Sequence, residues 1–244
     1  MNLREGTLRL SLLSGVLGAV LALPLCVCEV WAQPVKTHSA QTKGINPVLL
    51  EKAKAGDAEA QYQLGEIYYS GDGVRRDYSQ AEIWFRKAAE QGNADSEFML
   101  GGLHHFGQGA PQDNAQAFAW VMKAAKQGHE DAEFYISTCY SEGWGVPKDD
   151  AKGFVWLRKA AEQGHTNSQD MLGWAYESGI GVPQDYSEAY FWLELATAGD
   201  LTGSKLTQVV ERRDKAAQHL TQAELSSAQA RVLKWQKDHT PKPQ

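Results

Sequence analysis

Through the middle of the chain, apolar residues recur at helical rather than strand spacing. Ala60, Leu64, Ile67 and Tyr68 fall three and four positions apart, and so do Ala81, Trp84, Phe85 and Ala88. That spacing lines one face of an α-helix. Between the two runs stands Gly71-Asp72-Gly73, where glycine supplies the positive φ that ends a helix. Asp77 precedes the second run. Its carboxylate is placed to accept from the N–H groups of the first turn, and Gln80 completes a capping-box pattern. Gln91-Gly92 closes the run. The predicted unit is helix, turn, helix, turn.

The unit is repeated. Trp84, Trp120, Trp156 and Trp192 are each 36 residues apart, and series starting at Gly71, Gly73 and Asp77 keep the same period. Four copies are read at 56–91, 92–127, 128–163 and 164–199. Gln116 and Glu188 repeat the capping box and Lys152 breaks it, while Pro111, Pro147 and Pro183 fall just before the caps. Gly65, Gly101, Ser137 and Gly173 lie on the apolar stripe of the first helices. A small residue there lets the partner helix approach closely and offsets a helix penalty of about 1 kcal/mol for glycine.

One such hairpin cannot bury both of its faces, so neighbours must stack. The predicted fold is all-α: an α-solenoid of four tandem 36-residue helix-turn-helix repeats. A capping helix at 46–55 precedes them, a helix pair at 200–237 follows, and 238–244 is a tail. Thr221 and Glu224 give the last helix a capping box of its own.

The start of the chain reads differently. Arg4 and Arg9 precede an uncharged run from Leu10 to Cys28, and Val30-Trp31-Ala32 supplies small residues at −3 and −1. This is the pattern of a secretory signal peptide over 1–32, cleaved after Ala32, followed by a polar linker over 33–45. The competing reading is an uncleaved membrane anchor. A lipidated cysteine is disfavoured, because Leu25 and Val27 precede Cys26 and Cys28. The expected address is periplasmic or secreted. With the leader gone Cys139 is the only cysteine, so an intrachain disulfide is excluded and stability must come from packing.

Composition narrows the partners. Among 244 residues, 30 Asp and Glu outnumber 24 Lys and Arg, for a net charge of −6. That balance argues against nucleic acid. Eight Trp, nine Tyr and seven Phe are too many for a disordered chain.

The string Ala58-x-Ala60-x-x-x-Leu64-Gly65-x-x-Tyr68-x-x-Gly71-x-Gly73-Val74-x-x-Asp77-x-x-x-Ala81-x-x-Trp84-Phe85-x-Lys87-Ala88-Ala89-x-x-Gly92 resembles the Sel1-like repeat, a tetratricopeptide-like hairpin with a longer inter-helix loop. Copy three departs at Ser137 and Gly153, copy two at Ala110, and copy four at Leu195-Ala196-Thr197-Ala198. The resemblance implies an adaptor or scaffold that binds a protein or peptide, with envelope or host-contact roles among secreted bacterial members. A cell-wall glycan or a cell-wall enzyme is a further partner class. One disulfide-rich branch is linked to penicillin binding and β-lactamase activity, but it carries paired cysteines in each repeat, which this chain lacks.

No catalytic constellation is assembled in the sequence. Ser-x-x-Lys, Gly-x-Ser-x-Gly and His-Glu-x-x-His are all absent, and His129-Glu130 is followed by Glu133 where a zinc-protease motif needs His. The chain is therefore read as non-catalytic, with no cofactor and no metal. A hydrolase acting on peptidoglycan or a β-lactam is the alternative that the disulfide-rich relatives suggest, and a membrane-tethered assembly factor is the alternative if the leader stays. His129 and His165 share one repeat position and are read as turn or cap residues. His104 holds the place of Tyr68, Tyr140 and Tyr176, which makes it a core histidine with its hydrogen bonds met. Cys139 aligns with Ile67, Leu103 and Ala175, which makes it a buried small hydrophobe. The periodic tryptophans are core knobs.

By analogy with tetratricopeptide hairpins, the first helices line the concave face. Inward positions hold Tyr62, Glu66 and Tyr69, then Phe98 and His105, then Phe134, then Asp170, Trp174 and Glu177. Aromatics flanked by acids suit a basic protein segment. The alternative is that Tyr62, Phe98 and Phe134 pack between neighbouring hairpins. Trp144 and Trp174 have no equivalent in the other copies, and Trp144 sits at a loop tip between two glycines. Both are candidate contact residues.

Overall fold

A computed structural model describes residues 44–239. The expected leader, its cleavage site, residues 33–43 of the linker and residues 240–244 of the tail lie outside the described residues. Those described form eleven helices and no strand. A single helix, α1 (Pro47–Lys54), comes first. Four hairpins follow: α2 (Ala58–Ser70) with α3 (Tyr78–Ala89), α4 (Ala94–Phe106) with α5 (Asn114–Lys126), α6 (Glu130–Glu142) with α7 (Asp150–Gln163), and α8 (Thr166–Ser178) with α9 (Tyr186–Thr197). A last pair, α10 (Gly203–Gln218) and α11 (Gln222–His239), closes the array. Helix α11 runs to His239, two residues into the stretch read as tail.

Each hairpin is held by local chemistry. Gly71, Gly107, Gly143 and Gly179 end the first helices at φ of 77°, 66°, 77° and 70°, left-handed values that glycine reaches without a Cβ penalty. Asp77, Asp113, Asp149 and Asp185 cap the second helices through their carboxylates. The reciprocal half of the capping box does not form. The N–H of each capping Asp already donates to a first-helix carbonyl, at Tyr68, His104, Tyr140 or Tyr176. The Gln116 amide therefore turns to the Asp113 carboxylate, at 3.0 Å. At the C-terminal pair the box does close: the Thr221 N–H donates to Glu224 at 2.8 Å, and the Glu224 N–H donates back to the Thr221 hydroxyl at 3.3 Å.

Small residues set the distance between helices. A Cβ on Gly101 would lie 2.1 Å from Val121, and one on Gly173 would lie 2.4 Å from Leu193. Within each of the first three hairpins, the end of the second helix is tied back to the first by a polar contact that recurs with the repeat. Gln91 donates to Gln61, Gln127 to Glu97 and Gln163 to Glu133, each across 30 residues. Trp84 and Trp192 are buried core residues, whereas Trp120 and Trp156 are half-buried under Lys123 and Lys159. Cys139 is buried, and burial pushes its thiol up to about 12, with a hydrogen bond from Tyr135 pulling the other way. A thiol so far from ionising is packing, not a nucleophile.

Candidate functional site

The N-caps of α6 and α8 are histidines, as their shared repeat position suggests. Nδ1 of His129 accepts from the Ala132 N–H at 3.3 Å, and Nδ1 of His165 from the Ser168 N–H at 3.2 Å. With Nδ1 accepting, the proton sits on Nε2. From there His129 reaches Asp95, and His165 reaches Asp131, each at 3.3 Å in the preceding hairpin. These rings are inter-repeat struts. Phe98 lies 4.8 Å from the His129 ring and is 5% exposed, and Phe134 lies 4.8 Å from the His165 ring and is 0% exposed. Both phenylalanines fill the seams between hairpins, so the packing alternative describes their position.

The fourth repeat treats its acids the same way. Asp170 pairs with Arg212, and Glu177 pairs with Lys215 at 2.7 Å, both cations coming from α10. Burial raises the Asp170 carboxyl above its ordinary range even though Arg212 and Lys205 pull it down. These acids join the array to its C-terminal helix pair and do not form an open rim.

Trp144 is also placed by a neighbour. Gly145 is pressed so close to the Asn114 carbonyl that a Cβ would come within 2.0 Å, and this brings the loop tip onto the preceding hairpin. The Trp144 ring then lies 4.9 Å from the His105 ring and 6.4 Å from Tyr135. His105 Nδ1 is 3.0 Å from Asn114 Oδ1. Burial depresses the His105 pKa, opposed by that hydrogen bond. The structure thus brings Trp144 and His105 together as a half-buried latch between repeats two and three.

Open first-helix surface remains at two places. On α2 the Tyr62 hydroxyl donates to Glu66 at 2.8 Å, and the Tyr62 and Tyr69 rings both lean on Phe85. Burial raises the Glu66 carboxyl, Tyr62 opposes this, and nearby Asp95 and Glu59 add to it. On α8, Trp174 is half-buried. The nine inward positions are therefore not one continuous groove.

A broader pattern escapes the residue-by-residue reading. The four first helices hold Glu59, Glu66, Asp95, Glu97, Glu130, Asp131, Glu133, Glu142, Asp170 and Glu177, and not one Lys or Arg. Counting charge helix by helix finds it in the sequence; the whole-chain net charge averages it away. Among the described residues no group of three His, Cys, Asp or Glu side chains is placed to hold a metal ion. No described helix is long and apolar enough to cross a membrane.

The arrangement has known counterparts. The chain resembles the crystal structure of c5321, a protective antigen present in uropathogenic Escherichia coli strains. Identity is 32% and the TM-score is 0.68, over 79% of this chain and 40% of that one. It also resembles a Sel1 repeat protein from Oxalobacter formigenes, at 29% identity and a TM-score of 0.61, over 75% of this chain and 58% of that one. A 40-residue stretch is 45% identical to the secretory immunoglobulin A-binding protein EsiB of Escherichia coli O6:H1 (strain CFT073), covering 16% of this chain and 8% of that protein. The chain thus spans less than two thirds of each relative. The Sel1 repeat model matches residues 58–93, 94–129, 130–165 and 166–201, the same period framed two residues later than the copies drawn from the sequence. With more than half of its length in those four matches, the chain belongs to the Sel1 repeat family.

Proposed function

We propose that this chain is a non-catalytic scaffold of the bacterial envelope or secreted fraction, whose first-helix face binds a partner protein through a basic segment. Sel1-repeat proteins generally mediate protein–protein interaction, which is the coarse part of the reading. The observation that carries the finer part is the first-helix charge: no Lys or Arg, and exposed Glu59, Glu66 and Glu130 beside the carboxylates already buried or paired within the array. The half-exposed rings of Tyr62, Tyr69 and Trp174 lie among them. A face of one sign speeds encounter with the opposite sign and rejects like charge, while aromatic side chains supply contact area at small entropic cost. The envelope or secreted address is supported by the leader pattern over residues 1–32.

Affinity capture from native envelope extract tests the reading. The bait is the chain from Gln33, beside variants Glu66→Lys and Trp174→Ala, with their folding checked by thermal melts. A protein captured by the parent chain and lost from both folded variants supports first-helix binding. Equal recovery by all three contradicts it.

A further inference from the structure

The second helices of the first three repeats carry the opposite charge. α3, α5 and α7 together hold seven Lys and Arg against three Asp and Glu, and α5 has no acid at all. Part of this charge is used internally: Arg86 pairs with Glu82, Arg158 with Glu162, and Lys159 with buried Glu133. Lys87, Lys123 and Lys126 form no recorded ion pair among the described residues, although the Lys123 charge reaches the buried Glu97 carboxyl and lowers it, and all three are exposed. Lys87 and Lys123 rest their ammonium groups 4.2 and 3.7 Å from the ring centroids of Trp84 and Trp120. This is the posture of a stem covering an aromatic ring while its charge stays in water. Four residues before each repeat-equivalent lysine stands an aliphatic side chain. Ile83 is 42% exposed and Val155 is 64% exposed, with Ala119 between them.

The fourth repeat shows what covers this row. There the equivalent residue is Phe191, only 5% exposed. Helix α11 brings Arg231 to 4.5 Å from its ring, and the same guanidinium lies 2.6 Å from Glu188. Arg213 of α10 reaches Glu194 at 3.1 Å. Thus α9, which has two acids and no cation, is covered by helices that bring cations. Along the same row the first three repeats are open, and their charge is reversed.

We propose that the second-helix face of repeats one to three docks an acidic amphipathic helix of a partner protein. Its aliphatic side chains lie on the Ile83–Ala119–Val155 row and its carboxylates on Lys87, Lys123 and Lys126. Continuity with the α9–α11 packing argues for a helix, and the exposed lysines argue for acid. A membrane fits less well, because Trp84, which would enter the interface, is 9% exposed. A second copy fits less well too, because Glu97, Glu133, Asp170 and Glu177 of its acidic face are already engaged. A bridge between two proteins of opposite charge would rest, in addition, on the proposed first-helix binding. The proposal stands independently of the basic-segment reading.

The probe is a fluorescent synthetic helix of Leu and Glu heptads, titrated against the full chain and against folded Lys87→Glu/Lys123→Glu and Val155→Asp variants. These substitutions break no ion pair recorded in the structure. The parent chain should bind the peptide in a salt-sensitive manner, and each variant should lose about tenfold or more in affinity. Glu66→Lys should bind as the parent does, which separates this face from the first-helix face. Equal binding by parent and variants would overturn the proposal, as would equal binding of polyglutamate without leucines. Preferential binding of phosphatidylglycerol vesicles, abolished by the same variants, would assign the face to a membrane instead. Self-association in sedimentation, abolished by them, would assign it to a second copy.

Discussion

His104 occupies a position where the other repeats carry tyrosine, and the substitution has an energetic consequence. Tyr68, Tyr140 and Tyr176 are half-buried, whereas the shorter His104 is 4% exposed, and neither of its ring nitrogens has a hydrogen-bond partner. The repeat alignment predicts the burial correctly, but it does not provide partners for the ring, because an imidazole ends short of where the phenol oxygen emerges. An unpaired buried polar group costs about 1–3 kcal/mol. Burial, then Arg86, lowers the His104 pKa, opposed by Glu82 and Asp113. The unfolded chain therefore takes up this proton before the folded one does. The corresponding stability is fully present above the unfolded value of about 6.5 and is lost as pH falls toward the depressed folded value. Urea midpoints should show His104→Phe gaining stability over the parent at pH 7.5, with a larger gain at pH 5.5. An unchanged difference between the two pH values would remove the titration from the account. Trp144 teaches a related lesson. Its unusual place marks it in the sequence, but what it touches, His105, lies in the previous repeat. Trp144→Ala should cost about 1–2 kcal/mol, read by thermal or urea unfolding, as expected for a half-buried ring.

At the scale of helices and loops, the boundaries were legible because glycine, Asp and Pro recur with one period. Contacts across repeats were not legible. Phe98 with His129, or Glu177 with Lys215, joins positions 31 and 38 residues apart, and spacing within one copy does not say which side faces the next. The charge segregation was present in the sequence but needed the helix boundaries before it could be counted. The loops provide an internal control for the strength of the inter-repeat joint. Gly145 and Gly181 share a repeat position and have φ of 69° and 75°. A Cβ on Gly145 meets the Asn114 carbonyl, while one on Gly181 meets nothing within 4 Å. Both alanine variants carry similar backbone strain of about 1–2 kcal/mol. Gly145→Ala should lose about 1–3 kcal/mol more, the cost of overpacking. Equal unfolding midpoints for the two variants would show that the loop does not clamp the neighbouring repeat.

Over the described residues, first and second helices differ in the sign of their charge. The first helices are acidic along all four repeats, the second helices are basic along three, and the C-terminal pair neutralises the acids at its end with Arg212, Lys215 and Arg231. Exposed charge acts within a Debye length of about 8 Å at physiological ionic strength, so binding at either face should weaken with salt. The most direct measurement is site-specific photo-crosslinking in living cells of the native host. A photoreactive residue is placed at Glu66 or Trp174 on the first helices, and at Glu90, just past the end of α3, as a control. One discrete protein adduct should be shared by positions 66 and 174 and be absent at 90. Adducts of equal pattern and yield at all three positions, or none at 66 and 174 in a folded and exported chain, would contradict first-helix binding.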